Sequence, residues 1–194
     1  MNEVADQVGT PVYVYSTATL RRHARVIAAA FEGMDCLIAY SVKANGNLAV
    51  LKTLASEGCG ADVVSGGELK RALAAGIPAE RIVFSGVGKS RYLMARGLVH
   101  GIVQFFGLCQ FNVESGAERV ALSDVAAGLG KTAPVALRVN PDVAAGGHPN
   151  ISTGKAGDKF GVPWTDAPGL YEQMKSLPCV KAVGVDVHIG SQIG

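Results

Sequence analysis

The sequence predicts an α/β protein built on a parallel sheet. Short apolar, β-branched runs alternate with amphipathic runs at helical spacing, in units of roughly 20 to 35 residues. Nearly every apolar run also ends in a polar cluster able to do chemistry. In parallel α/β folds, chemistry gathers at the C-terminal ends of the strands. The pattern fits either a doubly wound sheet or a barrel.

The elements follow in order. Residues 12–15 read as a first strand, and 17–31 as a helix. A second apolar run, 36–42, leads to Lys43, after which Asn47 is placed to cap a helix over 47–57 and Gly58 to stop it. A strand at 61–65 precedes a helix at 67–75, where Leu69, Ala72 and Leu73 form one apolar stripe and Gly76 is the stop. Strands at 82–86, 109–114 and 134–140 alternate with helices at 90–99 and 116–129. Residues 141–163, rich in Gly, Ser and Lys, read as a substrate loop or lid. A helix at 166–177 leads to a last strand at 182–188, whose run Val183-Gly184-Val185-Asp186-Val187 reads as fully buried.

Bulk properties exclude several classes. With 194 residues, 48% of them hydrophobic and 18% charged, the chain has enough apolar surface for a core and is not disordered. A net charge of +2 without a basic block gives no footprint for nucleic acid. The longest nearly uncharged stretch, 97–111, is shorter than the ~20 residues a bilayer requires and contains His100, Gln104 and Gln110. Residues 1–9 are polar, with Glu3 and Asp6, unlike a secretory signal. Cys36, Cys59, Cys109 and Cys179 form no CxxC pair and read as buried free thiols of a reducing, cytoplasmic compartment.

Lys43 is the leading chemical candidate. It follows the apolar run Leu37-Ile38-Ala39-Tyr40 and precedes Asn45-Gly46-Asn47, at the rim of the expected sheet. A lysine amine there can react with an aldehyde to form a Schiff base. Gly88-Lys89-Ser90, Gly130-Lys131-Thr132 and Gly154-Lys155-Ala156 imitate a phosphate loop. The glycine that such a loop needs five positions earlier is replaced by Val83, Val125 and Pro149, so triphosphate binding is rejected. No GxGxxG follows a strand and no GxSxG is present. His23, His100, His148 and His188 lack metal-ligand spacing. His188-Ile189-Gly190-Ser191 ends the last strand: a flat imidazole can stack on a flat ring, and Gly190 with Ser191 can donate to a phosphate.

Seven ordered motifs then resemble one family. They are Tyr40-Ser41-Val42-Lys43-Ala44-Asn45, the run from Gly60 to Glu68, Phe111-Asn112-Val113-Glu114-Ser115, Leu137-Arg138-Val139-Asn140-Pro141, Ile151-Ser152-Thr153-Gly154-Lys155, Lys159-Phe160-Gly161 and Val187-His188-Ile189-Gly190-Ser191-Gln192. Together, from about Thr10 onward, they resemble the pyridoxal-phosphate decarboxylases of basic amino acids. Within that family the Ile-Ser-Thr-Gly-Lys and Phe-Asn-Val-Glu-Ser segments are most similar to those of enzymes acting on diaminopimelate, making lysine and CO₂. Ornithine, arginine or carboxynorspermidine as substrate, or a non-catalytic cofactor-binding remnant, are the alternatives.

The resemblance implies a fold and a site. The fold is a (β/α)₈ TIM-type barrel, of which residues 1–194 would supply about six strands. The later glycine-rich phosphate loop, a glutamate for the pyridine nitrogen and the C-terminal β domain would be absent. Residues 1–16 would form a strand segment beside that missing domain. Lys43 would hold pyridoxal 5'-phosphate, His188 would stack on it and Ser191 would contact its phosphate. Asp62, Glu68 and Arg138 match cofactor-proximal positions. The substrate is then a small amino acid, the intact parent a homodimer, and a chain of this length alone little active. The repeated Gln104-Phe105 and Gln110-Phe111 mark about six extra residues, expected to bulge out ahead of the strand at 109–114.

Overall fold

The computed structural model describes residues 2–99, 110–144, 146, 152–155 and 157–191. Its strands are β1 (Ala39–Ser41), β2 (Gly60–Val63), β3 (Ile82–Phe84), β4 (Phe111–Val113), β5 (Ala133–Asn140), β6 (Val162–Pro163) and β7 (Val180–Asp186). Its helices are α1 (Asn2–Val8), α2 (Thr17–Ala30), α3 (Leu48–Ser56), α4 (Gly66–Ala74), α5 (Arg91–Val99), α6 (Gly116–Gly128) and α7 (Ala167–Lys175).

Every strand pairing is parallel, and the strands lie side by side in chain order from β1 to β5. β7 pairs with β5 along its length, and the two-residue β6 joins only the far end of β5, through Val139 and Asn140. A doubly wound sheet would reverse direction from a central strand. Sequential order is instead that of a barrel wall, which resolves the choice the sequence left open.

Helix starts follow from local chemistry. Asn47 Oδ1 accepts from Ala49 N at 2.8 Å, as expected of a cap. Ser65 and Ser115 cap α4 and α6 in the same way, each accepting at 3.2 Å from the amide of a glutamate three residues on, Glu68 and Glu118. Those glutamates reach back to the amides of Val64 and Glu114 at 2.8 and 2.9 Å, giving two copies of one capping device. Gly58 and Gly76 follow their helices at φ +81° and +85°, a conformation that penalises any side chain.

Period-two alternation separates the two faces of the sheet. Ala61, Val63, Ile82, Phe84, Phe111, Val113 and Val135 are fully buried with Leu51, Leu69, Met94, Leu98 and Leu122 of the covering helices. The rings of Phe84 and Phe111 stack at 6.0 Å. The alternate positions, among them Asp62, Ser85, Asn112, Glu114, Arg138 and Asp186, carry the polar groups.

Lys89, from the first of the phosphate-loop imitations, is buried. Its Nζ donates to the carbonyls of Asn112 (2.8 Å) and Gly86 and pairs with Glu118 at 2.7 Å. That amine ties the loop after β3 to the end of β4 and the start of α6, so nothing is left for a phosphate.

Several expectations are corrected. Residues 12–15 form no strand, and residues 2–8 form α1. Val12, Tyr13, Val14 and Tyr15 are exposed, and a strand needs a partner edge that no described residue offers them. The run at 36–42 yields only β1, because the chain turns into a 3₁₀ turn at Val42–Ala44. Cys36, in the loop before β1, is exposed, whereas Cys59 is buried and Cys179 intermediate; all three are free. β7 is not fully buried: Val183 and Val185, and Val187 just past it, are exposed, because its edge away from β5 has no described neighbour. β6 was not foreseen; two residues are too few for a periodic signal. His100, Gln104, Phe105, Phe106, Cys109, His148, Ile151 and Gln192 lie outside the described residues, and so does the expected bulge before β4 apart from Gln110 and Phe111. No described helix is long and apolar enough to cross a membrane.

Candidate active site

Lys43 sits on the 3₁₀ turn that ends β1, and this turn is held from three sides. Val42 is buried in the core at 1% exposure. Asn45 Oδ1 accepts from Asn47 N at 3.0 Å, and Arg71 donates to the Gly46 carbonyl at 3.0 Å. The backbone is therefore fixed while the lysine side chain stays exposed, with no hydrogen-bond or ion-pair partner among the described residues.

A line of polar side chains runs across the neighbouring strands. Asp62 on β2 accepts from Ser41 of β1 at 3.2 Å and from Ser85, just past β3, at 2.6 Å. Asn112 on β4 donates to Ser85 Oγ at 3.1 Å and accepts from Gln110 at 2.9 Å. Two acceptor oxygens with two hydroxyl donors keep the Asp62 carboxylate oriented. Farther along, Arg138 of β5 pairs with Glu114 at 3.1 Å, both side chains nearly buried, and the Arg138 guanidinium lies 5.1 Å from the centre of the Phe160 ring. Glu114 Oε2 is buried without a hydrogen-bond partner among the described residues.

The register places Asp186 opposite Arg138, and His188 lies two residues beyond. Burial pushes the Asp186 carboxyl up, Arg138 opposes this, and the charges of Asp62 and Glu114 add to it. Burial likewise lowers the His188 imidazole, reinforced by the positive charges of Arg138 and Lys43. Asp186 thus feels the charges of Arg138, Asp62, Glu114 and His188, and His188 those of Arg138, Lys43 and Asp186. Lys43, Asp62 and Arg138 are linked in this way through His188 and Asp186. Glu68 is placed differently: its Oε2 is engaged with Val64 N at the start of α4. Ser191 is exposed and follows Gly190, which bridges to Ser152 of the 141–163 loop. Among the described residues no cluster of three or more His, Cys, Asp or Glu could hold a metal.

Glu114, Asp186 and Thr153 belong to this neighbourhood although the sequence reading gave them no role. The signal for Asp186 was present: a carboxylate two residues before His188 must share its face of the strand. Thr153 carried no such signal, because it arrives from a loop.

The two shifts set the pH dependence of stability. Because the fold depresses His188, the unfolded chain takes up its proton first as pH falls. Stability is therefore fully present above the unfolded value of about 6.5 and declines below it, until the folded form also protonates. For Asp186 the sign is opposite: the raised folded value favours the protonated carboxyl, and this advantage is lost as pH rises through that value. We expect His188→Gln to flatten the fall in urea midpoint between pH 7.5 and 5.5, and Asp186→Asn to raise the midpoint at pH 7.5. An unchanged slope in the first variant contradicts the assignment.

Comparison with known proteins gives the same neighbourhood a lineage. The diaminopimelate decarboxylase of Pseudomonas fluorescens is 51% identical over 194 residues, which is 100% of this chain but 45% of that relative. The crystal structure of Helicobacter pylori diaminopimelate decarboxylase complexed with L-lysine superposes with a TM-score of 0.90 at 39% identity, covering 99% of this chain and 47% of that one. The arginine decarboxylase of Paramecium bursaria Chlorella virus, at 22% identity and TM-score 0.78, shares the fold. The chain thus spans under half the length of the relatives it matches. The model for "Pyridoxal-dependent decarboxylase, pyridoxal binding domain" matches residues 17–194, and the chain belongs to that family.

Proposed function

We propose that the protein carrying this chain decarboxylates meso-2,6-diaminopimelate to L-lysine and CO₂ with pyridoxal 5'-phosphate, and that residues 1–194 are the incomplete cofactor-binding barrel. What supports this reading is the exposed Lys43 amine, without a partner among the described residues, on a turn held at Val42, Asn45 and Gly46, with its charge acting on His188 beside that of Arg138. Relatives at 45 to 51% identity that are diaminopimelate decarboxylases, and a lysine-bound neighbour, support the substrate.

The residues fit the cofactor on chemical grounds. A free amine suits an aldehyde, a half-buried imidazole suits a flat ring, and the Ser191 hydroxyl suits a phosphate oxygen. When bound, the cofactor supplies an electron-accepting ring that takes up the electron pair left as CO₂ departs. Lys43 would hold it covalently and, once its amine is free, would be placed to give a proton to the carbon that loses CO₂. Asp62 and Arg138 fix the local charge around the site. The Glu68 carboxylate acts one step back, through the start of α4. A cytoplasmic location and a homodimeric parent belong to the same reading.

Borohydride reduction of the protein with pyridoxal phosphate, followed by peptide mass mapping, tests the reading. The label is expected on Lys43. A label spread over surface lysines, with none at position 43, overturns it.

A further inference from the structure

The loop contact on His188 has a consequence for the ring itself. Thr153 Oγ1 lies 2.8 Å from His188 Nδ1 and 2.7 Å from the carbonyl oxygen of the same residue. The hydroxyl carries one proton and the carbonyl none. If Oγ1 donated to Nδ1, its lone pairs would face the carbonyl oxygen at 2.7 Å with no hydrogen between them. Both contacts are satisfied together only when Oγ1 donates to the carbonyl and Nδ1 donates to Oγ1. Nδ1 then holds the proton and Nε2 of the neutral ring keeps its lone pair.

We propose that Thr153 is a positioning residue that holds His188 in its Nδ1–H form and couples the 152–155 segment to the orientation of the ring. The tautomer stands on this chain alone; its use in seating pyridoxal phosphate rests on the proposed function. A neutral ring with an open Nε2 presents an acceptor, and no positive charge, to whatever lies against it.

The segment bearing Thr153 is built to stay put. Ser152 bridges Gly190, and Thr153 N donates to the Ile189 carbonyl at 3.4 Å. Val143 N donates to Gly154 O at 2.7 Å, and Asn140 Nδ2 to Lys155 O at 2.8 Å. Asp158 accepts from Ser152 Oγ and Lys155 N, both at 2.9 Å, which holds its carboxyl below the usual range. Gly154 has no room for a side chain: a Cβ would sit 2.7 Å from Val143 O and 3.0 Å from Ile189 Cα. The charged groups acting on the ring are Arg138 from β5, Lys43 from the turn after β1 and Asp186 from β7. Burial and the two cations favour the neutral ring, with Asp186 opposing them; Thr153 selects which nitrogen of that ring carries its proton.

Nitrogen-15 NMR of labelled histidine, recorded without cofactor across pH 5 to 8, reads the tautomer directly. The wild type is expected to show a protonated Nδ1 and a bare Nε2 at neutral pH. Thr153→Ser keeps the hydroxyl and should retain this pattern; Thr153→Val keeps the shape and should lose it, as should Gly154→Ala by displacing the loop. A parallel titration with pyridoxal phosphate should give weaker uptake for Thr153→Val and recovery for Thr153→Ser. A wild type with Nε2 protonated, or an unchanged tautomer in Thr153→Val, overturns the proposal. Because the NMR needs no cofactor, failure of borohydride labelling at Lys43 would sink the functional reading and leave the tautomer standing, and the reverse also holds.

Discussion

Lys43→Ala is expected to abolish covalent capture of pyridoxal phosphate and to leave the full-length protein without measurable decarboxylation. Loss of a positioned proton-transfer group alone costs about 10²- to 10⁴-fold in rate, and the covalent attachment is lost as well. Alanine also removes a positive charge that helps to depress His188, so the imidazole should titrate higher in this variant. Lys43→Arg separates the two effects. A guanidinium keeps the charge but stays protonated and cannot form the bond. It should leave the His188 titration near its wild-type position while remaining unlabelled by borohydride and inactive. Substantial turnover by either variant would remove Lys43 from the chemistry. The fold should tolerate both changes, because the lysine side chain is exposed and the turn is held through Val42, Asn45 and Arg71.

Phe111→Ala is expected to give the largest loss of stability, about 3–5 kcal/mol for a fully buried phenylalanine. β3 and β4 are joined through one registered pair, Phe84 opposite Phe111, and the hydrogen bond from Phe84 N to Gln110 O at 3.0 Å. Both rings are fully buried and stacked, so truncation opens a cavity at the narrowest join among the described strands. Phe111→Leu, which keeps most of the volume, should cost under about 1.5 kcal/mol. Urea midpoints at constant slope measure both. The consequence reaches the site, because Asn112 belongs to the polar line through Ser85 to Asp62 and its carbonyl holds Lys89. Equal midpoints for Phe111→Ala and wild type would show that the 3–4 join is not limiting.

The helices were legible because their signals are local. The Leu69, Ala72 and Leu73 stripe, the Asn47 cap and the Gly58 and Gly76 stops lie within a turn or two of the residues they govern. α2 to α7 accordingly fall within a residue or two of their expected bounds. The strands were legible as apolar runs but not in length. A strand ends where its partner ends, and partners are distant in sequence: β1 stops at Ser41, and 12–15 finds no edge to join. The burial expected for β7 failed for the same reason, since a run of valines does not say whether a neighbour covers it.

By itself the sequence determined the class of fold, the boundaries of α2 to α7 and which residue types stand at the strand ends, because propensity, capping and side-chain chemistry belong to single residues and their near neighbours. Only the tertiary structure decided that the strands run in chain order, that Asp62 is bracketed by Ser41 and Ser85, that Asp186 faces Arg138 and that Thr153 meets His188. Each of these joins residues separated by 20 to 50 positions. Their energies depend on register and loop path, which no local pattern encodes.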